Sequence, residues 1–243
     1  MDNKEKIVKF DKEISLIKNI NVKNLVKEIL KNADDWFFTE PASSSGKYHP
    51  TFALEPGGLV MHTKAVVYFL KEMLRSELYD IDEYHQDMLY LSAIAHDIKK
   101  YGETNNTGHT VKNHPQLASN YVEFINNKQQ ILPKKDIKYI QNCILRHMGV
   151  FGDDKPITED EKLLHMADLL ASRREIDIKF SKEEKEISKP KIDEYILDFG
   201  MYKGKLIKDV PKDYLEWGVK EIKNNKIFTS FAKQILKEYE KDK

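Results

Sequence analysis

Met88 to Thr104 reads MLYLSAIAHDIKKYGET, and the reading of this stretch decides how the rest of the chain is understood. Small and apolar residues, among them Leu91, Ala93, Ile94 and Ala95, describe a buried helix, yet it ends on an imidazole beside a carboxylate, His96-Asp97. Charge in such surroundings requires a partner. Side by side near the end of a rigid helix, a neutral imidazole and an ionised carboxylate are a natural pair of ligands for a divalent metal, so further ligands are to be sought elsewhere in the chain.

Composition limits the search. The 243 residues suffice for one well-cored domain of about 180 residues and a small second one. Lys plus Arg (40) equals Asp plus Glu (40), so no global field attracts polyanions; this argues against a general nucleic-acid coat protein and leaves room for a local basic groove. The single cysteine, Cys143, excludes an intramolecular disulfide framework and a cysteine-cluster metal site. Any metal is therefore held by nitrogen and oxygen. No apolar run approaches the ~20 residues of a membrane span, and MDNKEKIVKF lacks an apolar signal core, so a cytoplasmic protein without a membrane partner is expected.

Working outward, residues 1–34 read as two amphipathic helices, with Ile7, Phe10, Ile14 and Ile17 at helical spacing and Leu25, Val26, Ile29 and Leu30 repeating it. Trp36 to Phe38 precede a long turn-rich segment, PASSSGKYHPTFALEPGG, from Pro41 to Gly58. Its Ser45, Lys47, Tyr48 and His49 suit a phosphate-gripping loop; a plain surface loop is the other reading. It is not a P-loop, because the upstream glycine is missing and Tyr48 follows the lysine.

In LVMHTKAVVYFLKEMLRSELY, His62 shares a stripe with Val66, Leu70 and Met73 and points at the core. A second polar loop runs from Gly102 to Asn113, after which His114-Pro115 opens a helix, proline being favoured at the first helical position. From Pro133, Ile137, Ile140, Ile144 and His147 line one stripe. Thr158 and Glu161 form a capping-box pattern for EKLLHMADLLASRREI, in which Leu164, Asp168 and Ala171 share a face. Separate buried polar groups without partners would each cost roughly 1 to 3 kcal/mol, whereas one shared metal site satisfies them together.

The ordered segments GGLVMHT (Gly57–Thr63), AIAHDIKK (Ala93–Lys100), NHP (Asn113–Pro115), ILRHMG (Ile144–Gly149) and LLHMADLLASRRE (Leu163–Glu175) resemble the HD-domain superfamily of metal-dependent phosphohydrolases, over roughly residues 30–178. The resemblance implies an all-α helical bundle with a metal site between its helices. It implies that His62, His96, Asp97 and Asp168 bind a first metal, that His114 and His147 match the extra histidines of the two-metal branch, and that Asp97 bridges both ions. Two departures stand out: Lys99 replaces the glycine many members carry before Lys100, and Arg146-His147 stands where some members show paired histidines.

The implied chemistry is hydrolysis of a phosphate ester or anhydride by metal-activated water, with one or two divalent ions per chain. Mixed imidazole and carboxylate ligation suits Mn, Fe, Co, Ni or Zn better than Mg. Asp97 would orient the attacking water, and Lys100, Lys47, Arg146 or Arg173 could neutralise transition-state charge.

Residues 179–192 are a charged run with one proline, read as a linker or solvated helix. Beyond it, FGMYKGKLIKDVPKDYLEW (Phe199–Trp217) and a terminal helix describe a small α+β or mostly helical module over residues 193–243. It resembles the C-terminal domain of exodeoxyribonuclease X-like proteins over about fifty residues. Tyr202, Lys203, Lys205, Tyr214 and Trp217 there either contact single strands or form the module's own core.

The reading ranked first is a phosphohydrolase acting on a small nucleotide. The second is a single-strand nuclease, favoured by the C-terminal module and by a distant likeness of the HD portion to HD-type 3′-to-5′ exoribonucleases. The third is a non-catalytic adaptor for nucleic acid, its fold stabilised by metal.

Overall fold

Where the sequence alternates apolar stripes with capping residues, helices form. The computed structural model describes residues 1–43, 46, 48–76, 78–104, 109–197, 199–222 and 225–241. Among these the chain is all-α, and the one β-type pairing is an isolated antiparallel bridge between Ile196 and Leu206. No helix among them is long and apolar enough to cross a membrane.

The amino-terminal region is three helices rather than the expected two: α1 (Asn3–Val8), α2 (Asp11–Leu16) and α3 (Ile20–Asn32). The apolar spacing from Ile7 to Ile17 runs unbroken because Phe10 and Ile17 lie outside helical segments yet are fully buried. Periodicity alone therefore conceals the breaks. Asn19 then caps α3, accepting from the amides of Asn21 and Val22.

α4 (Asp35–Thr39) leads into the Pro41–Gly58 segment, which is tied down at both ends. Ala42 N–H donates to Ala53 O at 2.8 Å, Gly57 N–H to Thr39 O at 2.7 Å and Leu59 N–H to Glu40 O at 2.9 Å. α5 (Gly58–Arg75) starts directly after Gly57, whose φ of 78° suits glycine. A Cβ there would come within 2.2 Å of the Ser188 carbonyl oxygen.

α6 (Glu83–Ala95) begins with an Asp82 cap and is buried from Asp87 to Ala95, which makes it the central helix of the bundle. Around it pack α3, α5, α8 (Lys134–Arg146) and α9 (Glu159–Ala171), with α7 (His114–Gln129) against α3 and α8. The Thr158 and Glu161 capping box forms as the sequence indicates. One apolar core runs from Phe10 through Ala171, and the buried Lys64–Glu13 ion pair at 2.9 Å ties α5 to α2.

The charged run is ordered as α10 (Lys182–Ser188), opened by its own capping box and packed on α5. Lys9 Nζ donates to the carbonyls of Ile187 and Lys189, at 2.5 and 3.2 Å. Beyond it a second core gathers Leu197, Ile207, Val210, Leu215, Phe228 and Phe231 around α11 (Lys212–Glu221) and α12 (Lys226–Lys241). Tyr202 and Tyr214 meet edge to face, centroids 4.8 Å apart, and pack against that core, so these two aromatics serve packing, while Trp217 remains half exposed.

Asp87 holds the central helix to α3: its buried carboxylate accepts from the amides of Lys18 (3.0 and 3.1 Å) and Asn19 (2.7 Å). Asp87→Ala leaves those donors unsatisfied at a cost of about 2 kcal/mol. The expected result is a melting temperature lower by ~4 to 8 °C, measured by differential scanning calorimetry.

Candidate metal centre

His96 and His147 each occupy the position that terminates a helix, α6 and α8 respectively. The last carbonyls of a helix have no partner within it. Here each imidazole supplies one: His96 Nδ1–H donates to Ala93 O and His147 Nδ1–H to Ile144 O, both at 2.7 Å. His114, at the start of α7, makes the equivalent bond to Val111 O at 2.8 Å. In all three the acceptor lies three residues earlier, the proton is fixed on Nδ1, and the Nε2 lone pair faces inward.

Those lone pairs converge. His96 Nε2 lies 3.4 Å from His62 Nε2, and His114 Nε2 lies 3.3 Å from His147 Nε2. Asp97 sits between the two pairs. Its Oδ2 faces His96 at 3.4 Å and His62 at 3.6 Å, while its Oδ1 faces His114 at 3.1 Å and His147 at 3.7 Å. Asp168, on α9, closes the first group, with Oδ1 at 3.1 Å from His62 Nε2 and 3.8 Å from His96 Nε2.

Among the described residues, ligand atoms within 4.8 Å of one another come from His62, His96 and Asp168, and from His96, Asp97 and His147. The donor set fits a cation. Asp97 Oδ1 is buried without a hydrogen-bond partner, and the nearest nitrogen, on His114, already has its proton committed to Val111. The Nε2 lone pairs of His114 and His147, facing each other at 3.3 Å, repel, and a divalent ion between them would remove the conflict.

Electrostatics follows burial and these contacts. Burial would raise the carboxyl of Asp97, but the ammonium of Lys100 and the imidazole of His96 outweigh it and hold the group well below the usual carboxylate range. Burial opposes ionisation of Asp168 as well, and the hydrogen bond from His62 with the charge of His96 lowers it. Burial pushes His147 down to about 3 and lowers His62, which keeps both neutral. His96 goes the other way, because the Asp97 carboxylate outweighs its burial.

A cavity of about 240 Å³ opens onto this cluster, its floor formed by Asp97, His114 and Asp168. Lys100 lines it and contacts Asp97 Oδ2. His49 reaches the wall from the Pro41–Gly58 segment, its ring 5.2 Å from that of His62 and its Nε2 3.3 Å from Ser172 Oγ. Burial lowers its pKa to about 3.

Other residues singled out from the sequence are not brought here. Tyr48 is exposed, and Ser45 and Lys47 lie outside the described residues. Arg146 turns to Glu161 at 2.5 Å, the same residue whose carboxylate caps α9, so its guanidinium is committed to joining two helices. Arg173 is exposed and does not line the cavity.

Several cavity residues, among them Ser172, Phe151 and His165, went unread in the sequence. His165 donates through Nδ1–H to His147 O at 2.7 Å and lines the cavity, three residues before Asp168 on the same helix. That spacing was its signal. Gly149 makes room for it: at φ 56°, a Cβ there would lie 2.2 Å from the His165 ring. Gly149→Ala therefore combines a left-handed alanine with a clash against an anchored ring. The expected cost is about 2 kcal/mol, read as a melting temperature lower by ~4 to 8 °C; an unchanged value would contradict this packing.

Fold and site together define an all-helical protein built around a buried cluster of histidines and aspartates that could hold a metal ion. It is similar to the 3'-5' exoribonuclease YhaM of Oceanobacillus iheyensis, at 26% identity over 183 residues, which is 71% of this chain and 55% of that protein. The protein of the same name from Listeria welshimeri is 26% identical over 164 residues, covering 63% of this chain and 49% of the relative. The Listeria monocytogenes protein is 25% identical over the same length. This chain thus spans about half the length of the curated relatives it matches. No family model and no solved structure matches it.

Proposed function

We propose that this chain is a metal-dependent phosphodiesterase that hydrolyses single-stranded RNA from the 3′ end. The observation that carries the reading is Asp97, whose two carboxylate oxygens each face a different pair of imidazole Nε2 atoms. The similarity to proteins named 3'-5' exoribonucleases supports the substrate class and favours the nuclease over the small-nucleotide reading.

His62, His96, Asp97 and Asp168 would hold one divalent ion, and Asp97, His114 and His147 a second. Divalent ions held by these residues would supply Lewis acidity and a water of near-neutral pKa. The ligand set favours Mn, Fe, Co, Ni or Zn over Mg.

The chain's own residues do the rest. Asp97, kept ionised by Lys100, accepts a hydrogen bond from the attacking water and fixes its direction. Lys100 brings positive charge beside the phosphoryl oxygens, where charge builds up in the transition state. His49, His165 and Ser172 line the same cavity, where the Ser172 hydroxyl, held by His49 at 3.3 Å, can donate to those oxygens. The surrounding helices exclude bulk water, which strengthens each of these interactions.

A small-nucleotide substrate is the second reading, favoured by the cavity's modest volume, below the ~300 to 1,000 Å³ of drug-sized ligand sites. Turnover of 5′-labelled single-stranded RNA with Mn²⁺, beside mononucleotides and cyclic dinucleotides, separates the two. Stepwise 3′ shortening supports the nuclease; hydrolysis confined to the small molecules overturns it.

Asp97→Ala should lower turnover beyond the roughly 10- to 100-fold that changes outside the ligand shell cost. If this variant cleaves as the parent does, catalysis does not run through Asp97 and the proposed site falls; loss of turnover with RNA binding intact removes the adaptor reading. Mn²⁺ at a hundred times its Kd should stabilise the parent by ~2.7 kcal/mol, a rise in melting temperature of about 5 to 10 °C. Asp97→Ala should lose most of that rise.

A further inference from the structure

The cavity over Asp97 has a polar interior and an apolar rim. Phe151 forms part of that rim with 67% of its surface exposed, and the adjoining Val150 is 73% exposed. Folding alone does not account for an aromatic ring held in water at the mouth of a polar cavity, since burying it would release roughly 25 cal/mol per Å².

The backbone beneath this ring is fixed. Gly149–Phe151 is one turn of 3-10 helix, with Phe151 N–H donating to Met148 O at 3.1 Å and Gly152 N–H to Gly149 O at 3.2 Å. It begins two residues after His147, and the His165 ring packs against Gly149 where a side chain would otherwise stand. The turn is therefore registered to the cluster on one side while its ring faces solvent on the other. Lys112 and Asp153 pair at 2.8 Å, which ties the loop before α7 to the loop after this turn.

We propose that Phe151 is the surface on which the terminal nucleobase of the substrate strand stacks, and so a specificity-determining residue of the site. The inference rests on the phosphodiesterase reading and specifies how its substrate is held. A phosphate seated beside Lys100 and Ser172 leaves the ribose and the base of the terminal nucleotide, and of these the base has the apolar face that suits the rim. Every base has a π-face, so stacking demands a base without choosing among the four. A backbone grip tolerates loss of the base; a stacked end does not.

Two 5′-labelled RNA oligonucleotides, identical except that one has an abasic 3′-terminal residue, test this with the full chain and Mn²⁺. On the parent, the abasic end should lower kcat/KM by roughly 5- to 150-fold, mainly through KM. Phe151→Ala should lose a similar factor on the ordinary oligonucleotide and discriminate little between the two. Phe151→Trp should restore discrimination. The melting temperature should not move in either variant, because the ring is exposed. Phe151→Ala discriminating as the parent does, or losing equally on both oligonucleotides, would overturn the proposal. Failure of the parent to cleave either one would overturn the phosphodiesterase reading itself and this inference with it.

Discussion

Everything in this structure is arranged around a conflict of lone pairs. Four imidazole Nε2 atoms and two carboxylates meet in a nearly dry interior, with nitrogen-to-nitrogen distances of 3.3 and 3.4 Å and few protons to place between them. Buried groups of this kind are tolerated only when partnered. Three of the imidazoles have surrendered their one proton to backbone carbonyls, so the partner has to be a cation. Lys100 supplies one, on one oxygen of Asp97, and leaves the other oxygen facing His114 and His147.

The helices serve that arrangement through a repeated device. A helix that stops on histidine adds a side-chain donor to a carbonyl three residues back and, by the same bond, orients the ring and selects its tautomer. α6 and α8 both end this way, and the turn ahead of α7 repeats it. Local backbone chemistry thus fixes the ligand before tertiary packing brings the partners together. α5 and α9 then contribute His62 and Asp168 from helical interiors, where the surrounding core immobilises them.

Much of this was legible in the sequence because histidine and aspartate on apolar stripes contradict their surroundings. His62, His96, Asp97, His114, His147 and Asp168 were all readable from spacing and are all brought together. Arg146 was misplaced because adjacency to His147 says nothing about direction; neighbours in a helix diverge by 100°, and the arginine turns to Glu161 on α9. His165 was overlooked because the face counted through Leu164, Asp168 and Ala171 excluded it, although it lies three residues from Asp168. The division of the first nineteen residues was hidden by Phe10 and Ile17, whose burial continues the helical rhythm through two breaks. Of the two forms the sequence left open for residues 193–243, α+β or mostly helical, the described residues take the helical one with a single bridge, because α11 and α12 supply the core.

The most direct test of the account is the number of transition-metal ions bound per chain, by elemental analysis after equilibration with Mn²⁺ and removal of free metal. Two ions per chain, falling to one when His114 and His147 are both replaced by alanine, is the predicted result. No bound metal in the parent would contradict the account and leave the convergent histidines as packing residues.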